Sequence, residues 1–350
     1  MEAQRARLAM LPPENLTGAA LPLREVTEQV ENALARAGIE VVAGEAVERY
    51  LHRHRIRYTA GIDGADAAAA REDLGVDGIL VTWVEVRGEG PPPRISLAMR
   101  VVRAADPAEI VWIDTVALTG DDHPGFLGLG RIGTLRELER MAFDRLGTSL
   151  GEFLDGKAPR SSPCGRARSP GRWHRSPDFE KSHPTAIVVL PFANHTSRRG
   201  AGEVVALQLA RQIMAVPGLQ VLEPGVVREE LLRHRVIMQE GPSVDDLLVL
   251  GATVRPDIVI AGQVLEYDEG SVARLGVSVV ALDVRARRVI WRSGTQARGT
   301  DGVWFFDDGL VALPTELACQ ISRGVVDRML AGMGAQPPVS PPASSPAPTR

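Results

Sequence analysis

Two stretches of this chain open in the same way, and that repetition constrains the fold more than any other feature. Leu8 to Gly18 reads Leu-Ala-Met-Leu-Pro-Pro-Glu-Asn-Leu-Thr-Gly, and Ala186 to Ser197 reads Ala-Ile-Val-Val-Leu-Pro-Phe-Ala-Asn-His-Thr-Ser. Leu11-Pro12 answers Leu190-Pro191, Asn15 answers Asn194 and Thr17 answers Thr196. An apolar run halted by proline predicts a short buried strand, because proline cannot donate to a ladder. Two such openings, roughly 180 positions apart, predict one architecture used twice.

The segments after each opening recur in the same order. In the first, Leu23, Val26, Val30, Ala33 and Leu34 share one helical stripe, Ile39 to Val42 is a short strand, and Val47 and Leu51 begin a second helix. Asp63 can cap an Ala-rich third helix, and Ile79 to Val86 is a continuous apolar run, as expected of a strand buried on both faces. The period then becomes two: Ile95, Leu97, Met99 and Val101 alternate with Ser96, Ala98 and Arg100, and a turn at Ala105-Asp106-Pro107 leads to a strand from Ile110 to Leu118. Strands joined by short turns are antiparallel. Leu135, Leu138, Ala142, Leu146 and Leu150 mark a last helix.

After Ala186 come a stripe of Val205, Leu209, Ile213 and Val216, a strand at Leu219 to Leu222, and a helix from Val227. Ser243 with Asp246 reads as a capping box for a further helix. Ile258 to Tyr267, Leu275 to Ala281 and Val289 to Trp291 read as strands, and Leu317 to Met329 as the closing helix. The expected fold is α/β (α+β), two tandem repeats, each a mixed sheet with helices packed on it. The domains are expected at 1–156 and 185–333, joined by a flexible Pro/Ser/Arg-rich linker at 157–184 and followed by a disordered Pro/Ala/Ser tail at 334–350. A chain of 350 residues suits two domains.

Aromatics at 4% argue against a broad base-stacking surface, and a net charge of -4 gives no pull toward nucleic acid. No apolar run approaches the ~18 residues a membrane helix needs. The residues after Met1 lack an apolar h-region, which predicts either a cytoplasmic location or an export signal upstream of the given start. Cys164 lies in a polar stretch and Cys319 on an apolar helical face, so they are expected not to pair.

Motifs that could carry chemistry mostly dissolve. Gly128-Leu-Gly130-Arg-Ile-Gly133 matches a dinucleotide fingerprint, but the expected strand ends too early to feed that turn. Gly151 to Ala158 approximates a P-loop at the wrong end of a helix. His52 and His54 point apart on one helix, whose end Arg53-His54-Arg55 answers Arg233-His234-Arg235, and His123, His174, His183 and His195 are expected in loops. No cofactor, metal or catalytic set is expected. Asn15 and Asn194 are formal glycosylation sequons better read as turn caps, and Asp77 and Asp257 as turn residues. Apolar bulk at Phe126, Leu127, Trp304, Phe305 and Phe306 sits in loops, where it either folds back on the core or contacts a partner.

The opening Ala-Ile-Val-Val-Leu-Pro-Phe-x-Asn, the later Gly-Leu-Gln-Val-Leu, Arg-Pro-Asp-Ile-Val-Ile-Ala-Gly-Gln-Val and the meander closing on Ile-Trp form a pattern. It resembles the envelope lipoproteins grouped around the curli-secretion channel CsgG, the penicillin-binding-protein activator LpoB and the amino-terminal domain of TolB. The resemblance covers Ile187 to Leu330 well and Leu8 to Leu154 more loosely. It implies a non-enzymatic protein on the periplasmic face of the outer membrane, acting on other envelope proteins, as a homo-oligomer or an in-chain pseudo-dimer. Two departures are specific: no lipobox surrounds Cys164, and the meander turns are too short for barrel-forming hairpins. An adaptor is therefore the first expectation, a subunit of an oligomeric secretion complex the second, and a nucleotide binder through Gly128 to Gly133 the third.

Overall fold

A computed structural model describes residues 6–122, 131–159, 161, 163–177, 179, 185–233, 254–303 and 309–331. The first domain comprises β1 (Leu8–Met10), β2 (Glu14–Asn15), α1 (Leu23–Arg36), β3 (Val41–Val42), α2 (Glu45–Arg53), α3 (Gly64–Leu74), β4 (Gly78–Gly88), β5 (Arg94–Arg103), β6 (Ile110–Thr119) and α4 (Leu135–Leu154). The second comprises β8 (Ala186–Val189), β9 (Ala193–Asn194), α5 (Ala201–Met214), β10 (Gln220–Val221), α6 (Pro224–Arg233), β11 (Ile258–Asp268), β12 (Arg274–Asp283), β13 (Arg288–Arg298) and α7 (Pro314–Met329). Between them lies β7 (Arg172–Arg175).

The first sheet runs β3-β1-β4-β5-β6 and the second β10-β8-β11-β12-β13-β7. In both, the strands joined through helices pair in parallel and the last three form an antiparallel meander. The long central strands even carry a register shift at corresponding places, Val84/Val86 and Val264/Glu266. The capping expected of the two openings is present in both. The Asn15 carboxamide oxygen accepts the Thr17 N–H at 2.9 Å while its amide donates to the Ala19 carbonyl at 2.7 Å. Asn194 repeats this with Thr196 at 3.0 Å and Arg198 at 2.7 Å. Asp77 and Asp257 tie chain segments rather than merely turning them. Asp77 accepts the Arg7 N–H at 3.0 Å, and Asp257 accepts those of Thr185 at 2.8 Å and Ala186 at 3.1 Å.

Each sheet packs one face on a helix pair. Leu8, Met10, Leu80, Ile95 and Leu97 meet Val30 and Leu34 of α1 and Phe143 and Leu146 of α4. Ile187, Val189, Ile260, Leu275 and Val277 meet Leu209 and Ile213 of α5 and Leu317 and Ile321 of α7. The other face of the first sheet, with Ala9, Ile79, Val81, Trp83, Ala98 and Ile113, belongs to the same continuous core as α5. The two domains therefore share a hydrophobic interior.

The segment 157–184, expected as a flexible linker, is built into the second domain over much of its length. β7 adds to the free edge of β13, with Trp291 opposite Arg175 and Ser293 opposite Trp173. The Trp173 ring stacks on Trp291 at 5.6 Å, and Phe179 is fully buried. Arg-Trp-His-Arg has no apolar alternation of its own; an edge strand's unpaired backbone groups supply the ladder. His174, expected in a loop, is consequently a strand residue.

Candidate functional site

The densest polar chemistry lies where the domains meet. Arg100, in the middle of β5, is buried and forms an ion pair with Glu223, which is also buried. The guanidinium donates to the Ala60 carbonyl at 2.6 Å and stands over the Trp83 ring at 4.6 Å. Glu223 accepts the Ile62 N–H at 3.2 Å. Burial pushes the Glu223 carboxyl up, against the pull of Arg100 and the backbone amides around it, and burial likewise lowers Arg100. Next to this pair, Gly225 touches the Ile62 backbone so closely that any Cβ would collide with it.

A second buried pair, Arg211 of α5 with Asp114 of β6 at 3.0 Å, lies at the edge of the first sheet. Asp114 also accepts the Ser149 hydroxyl at 2.8 Å, and Arg211 donates to Thr115 at 3.1 Å. Arg198 makes a third tie: it donates to the Leu16 and Glu85 carbonyls of the first domain and pairs with Glu269 at 3.0 Å. The Glu85 side chain, wholly buried, accepts the Ser96 hydroxyl at 2.6 Å, and burial raises its pKa to about 7 despite Arg198 and Arg211.

Beside these ties opens an interdomain cleft of about 1050 Å³, lined by Arg94, Thr115, Arg131, Gln208, Glu269 and Glu316 among others. Burial and then Asp122 push the Glu316 carboxyl up. At the cleft rim Arg94 donates to the Glu269 carbonyl at 2.9 Å and Arg131 pairs with Asp121 at 3.0 Å.

The cleft wall carries Cys164 and Cys319, which form a disulfide with their Cα atoms 5.6 Å apart. This overturns the expectation that the two do not pair. Segment 157–184 folds back on α7, where the Arg168 N–H donates to the Gln320 carbonyl at 2.9 Å, and that approach brings the sulfurs together.

The residues singled out in the sequence fare unevenly. Phe126, Leu127, Trp304, Phe305 and Phe306 lie outside the described residues, as do His123, His183, His234 and the capping box at Ser243. β6 ends at Thr119 and α4 begins at Leu135, so Gly128 to Gly133 is no immediate strand-to-helix turn. The P-loop-like run straddles the end of α4, where Lys157 pairs with Asp155 at 3.1 Å. His54 pairs with Asp73 at 2.8 Å; that hydrogen bond, with Arg53 at 2.9 Å, holds the Asp73 carboxyl below its ordinary range. Among the described residues no group of three or more His, Cys, Asp or Glu could hold a metal, and no helix is long and apolar enough to cross a membrane.

No protein-family model and no curated protein matches the chain. Solved structures do resemble parts of it. The PelC dodecamer from Paraburkholderia phytofirmans is 16% identical over 47% of this chain and 97% of its own, with a TM-score of 0.32. Lipoprotein GNA1162 from Neisseria meningitidis is 18% identical over 41% of this chain and 99% of its own, with a TM-score of 0.28. The LpoB C-terminal domain from Salmonella enterica is 20% identical over 33% of this chain and 86% of its own, also at 0.28. Each spans less than half of this chain, and likenesses at this level carry no argument about activity or partners. They are loose similarities and concern the fold alone.

Proposed function

We propose that the chain is a non-enzymatic factor of a bacterial cell envelope, acting at the periplasmic side through protein-protein contacts. Its two α/β domains are two copies of one structural unit, fused into a single body that serves as an adaptor. The observation that carries the compartment is the Cys164–Cys319 disulfide. Such bonds form and persist where thiols are oxidised and are rare in a reducing cytosol. The resemblance of the repeated openings to envelope lipoproteins supports the same address. The adaptor reading is supported by how the buried charges are used: Arg100, Glu223, Arg211 and Asp114 hold one domain to the other.

Two measurements test this. Thiol trapping in intact cells followed by peptide mapping is expected to find Cys164 linked to Cys319 in the envelope fraction; free thiols in a cytosolic fraction would sink the compartment. Calorimetric titration with NAD and with ATP is expected to give no heat of binding, and micromolar affinity for either would overturn the non-enzymatic reading.

A further inference from the structure

The two sheets differ in what covers their second face. In the first sheet that face holds Trp83, Ala98, Arg100, Ile113 and Thr115, all buried against the second domain. The corresponding positions of the second sheet are Gln263, Ser278, Val280, Arg292 and Gly294. α6 covers one end of this face at Val188, Val259 and Leu282, and among the described residues the rest is open: Gln263, Arg292 and Gln296 are exposed and Leu265 is 52% exposed. A Cβ on Gly294 would meet nothing within 4 Å.

The β13–β7 part of the open face is basic, while Glu266 and Asp268, the latter directly opposite Arg274, lie on its β11 side. Alternation along β13 and β7 puts Arg292, Arg298, Arg172 and His174 on it, with Arg292 directly opposite His174 and Arg298 directly opposite Arg274. Like charges directly opposite on neighbouring strands, as Arg274 and Arg298 are, destabilise a sheet. Glu266, 3.7 Å from Arg274, offsets one of them. No acidic side chain pairs with the guanidinium of Arg172, Arg292 or Arg298 among the described residues, although the Asp301 carboxylate accepts the Arg298 backbone N–H at 2.7 Å.

On the opposite end of the molecule, α1 holds the place in the first domain that α5 holds in the second. Matching the core stripe Val26-Val30-Leu34 to Val205-Leu209-Ile213 sets Glu25, Glu28 and Asn32 where α5 turns Val204, Leu207 and Arg211 away from its own sheet. Glu25 and Glu28 are exposed and without a partner among the described residues.

We propose that the open face of the second sheet docks α1 of a second copy of this chain, in the relation that α5 takes to the first sheet. The acidic helix face meets the basic sheet face, and the contact is heterologous, so copies join head to tail. The buried anchors of the in-chain union are not repeated: Arg100 and Glu223 correspond to Val280 and Ala43, and Arg211 and Asp114 to Asn32 and Ser293. The contact between copies is therefore held by exposed charges, reversible and weakened by salt. It stands independently of the envelope reading.

A charge-swap experiment on the full chain decides the matter. Sedimentation velocity over a concentration series is expected to show wild-type self-association at low salt that is lost at high salt. Glu25→Lys with Glu28→Lys, and separately Arg172→Glu with Arg292→Glu, should each weaken it by about tenfold or more. Mixing the two variants restores it, since the basic helix of one then meets the acidic sheet of the other. Unchanged circular dichroism and melting show that the variants fold. A wild type monomeric throughout, a helix variant that still self-associates, or a mixture no better than its components would overturn the proposal.

Discussion

α1 and α5 occupy corresponding places and make a close natural comparison. α1 buries Val26, Val30, Ala33 and Leu34 and turns Glu25, Glu28 and Asn32 to water. α5 buries eleven residues, Val204, Leu207, Gln208 and Arg211 among them, because the first domain's sheet closes over the side that α1 leaves wet. A surface helix needs one apolar stripe, whereas a helix between two cores is apolar almost all round. The difference teaches that α5 is an interior element of this molecule, while α1 stays an outer helix.

The comparison can be broken most severely at the buried anchor that only one sheet has. Glu223→Ala leaves Arg100 buried without its charge partner and should cost about 4 kcal/mol in denaturant unfolding. Replacing both, Arg100→Met with Glu223→Leu, should recover most of that. Leu207→Glu puts an unpaired charge between the cores and should cost about 3 kcal/mol, while the corresponding Glu28→Leu on α1 should change stability by less than about 0.5 kcal/mol.

Glu85 sharpens the contrast through pH. Its pKa is raised by burial from 4.5 to about 7, so between these values the folded protein keeps a proton that the unfolded chain has released. That contribution is fully present below 4.5 and is lost as pH rises through about 7, an effect of about 3 kcal/mol. Glu85→Gln should flatten this part of the stability profile; Leu265, its counterpart, has nothing to titrate. The smallest effect tests sameness. Asn15→Ala and Asn194→Ala should each cost about 1 kcal/mol, since the two turns make the same hydrogen bonds.

Local signals carried the architecture. Pro12 and Pro191 stop strands, and the alternation at Ile95 to Val101 faces one side inward. What stayed hidden depends on contacts far apart in sequence. The Ser96-Ala98-Arg100 face only alternates with the apolar one in the sequence, yet it is buried because a second domain lies on it. Arg100 in mid-strand and the nearly unbroken apolar run of α5 were the available hints. Cys164 and Cys319, 155 positions apart, are joined by the fold-back of a segment whose composition says only that it cannot build a core. Phe126, Leu127, Trp304, Phe305 and Phe306 lie outside the described residues, so neither the fold-back nor the partner contact weighed for them has a structural account.

β7 has a consequence for any attempt to dissect the molecule. The strand that finishes the second sheet comes before that domain's own first strand, so the domain does not begin where its repeated opening begins. A fragment starting at Thr185 would bare the backbone groups of β13 that now pair with Arg172 to Arg175. An uncovered edge recruits strands from other molecules. Either fragment bares the outer side of α5, but one starting at Thr185 should precipitate at a lower concentration than one starting ahead of Cys164, which keeps that edge paired.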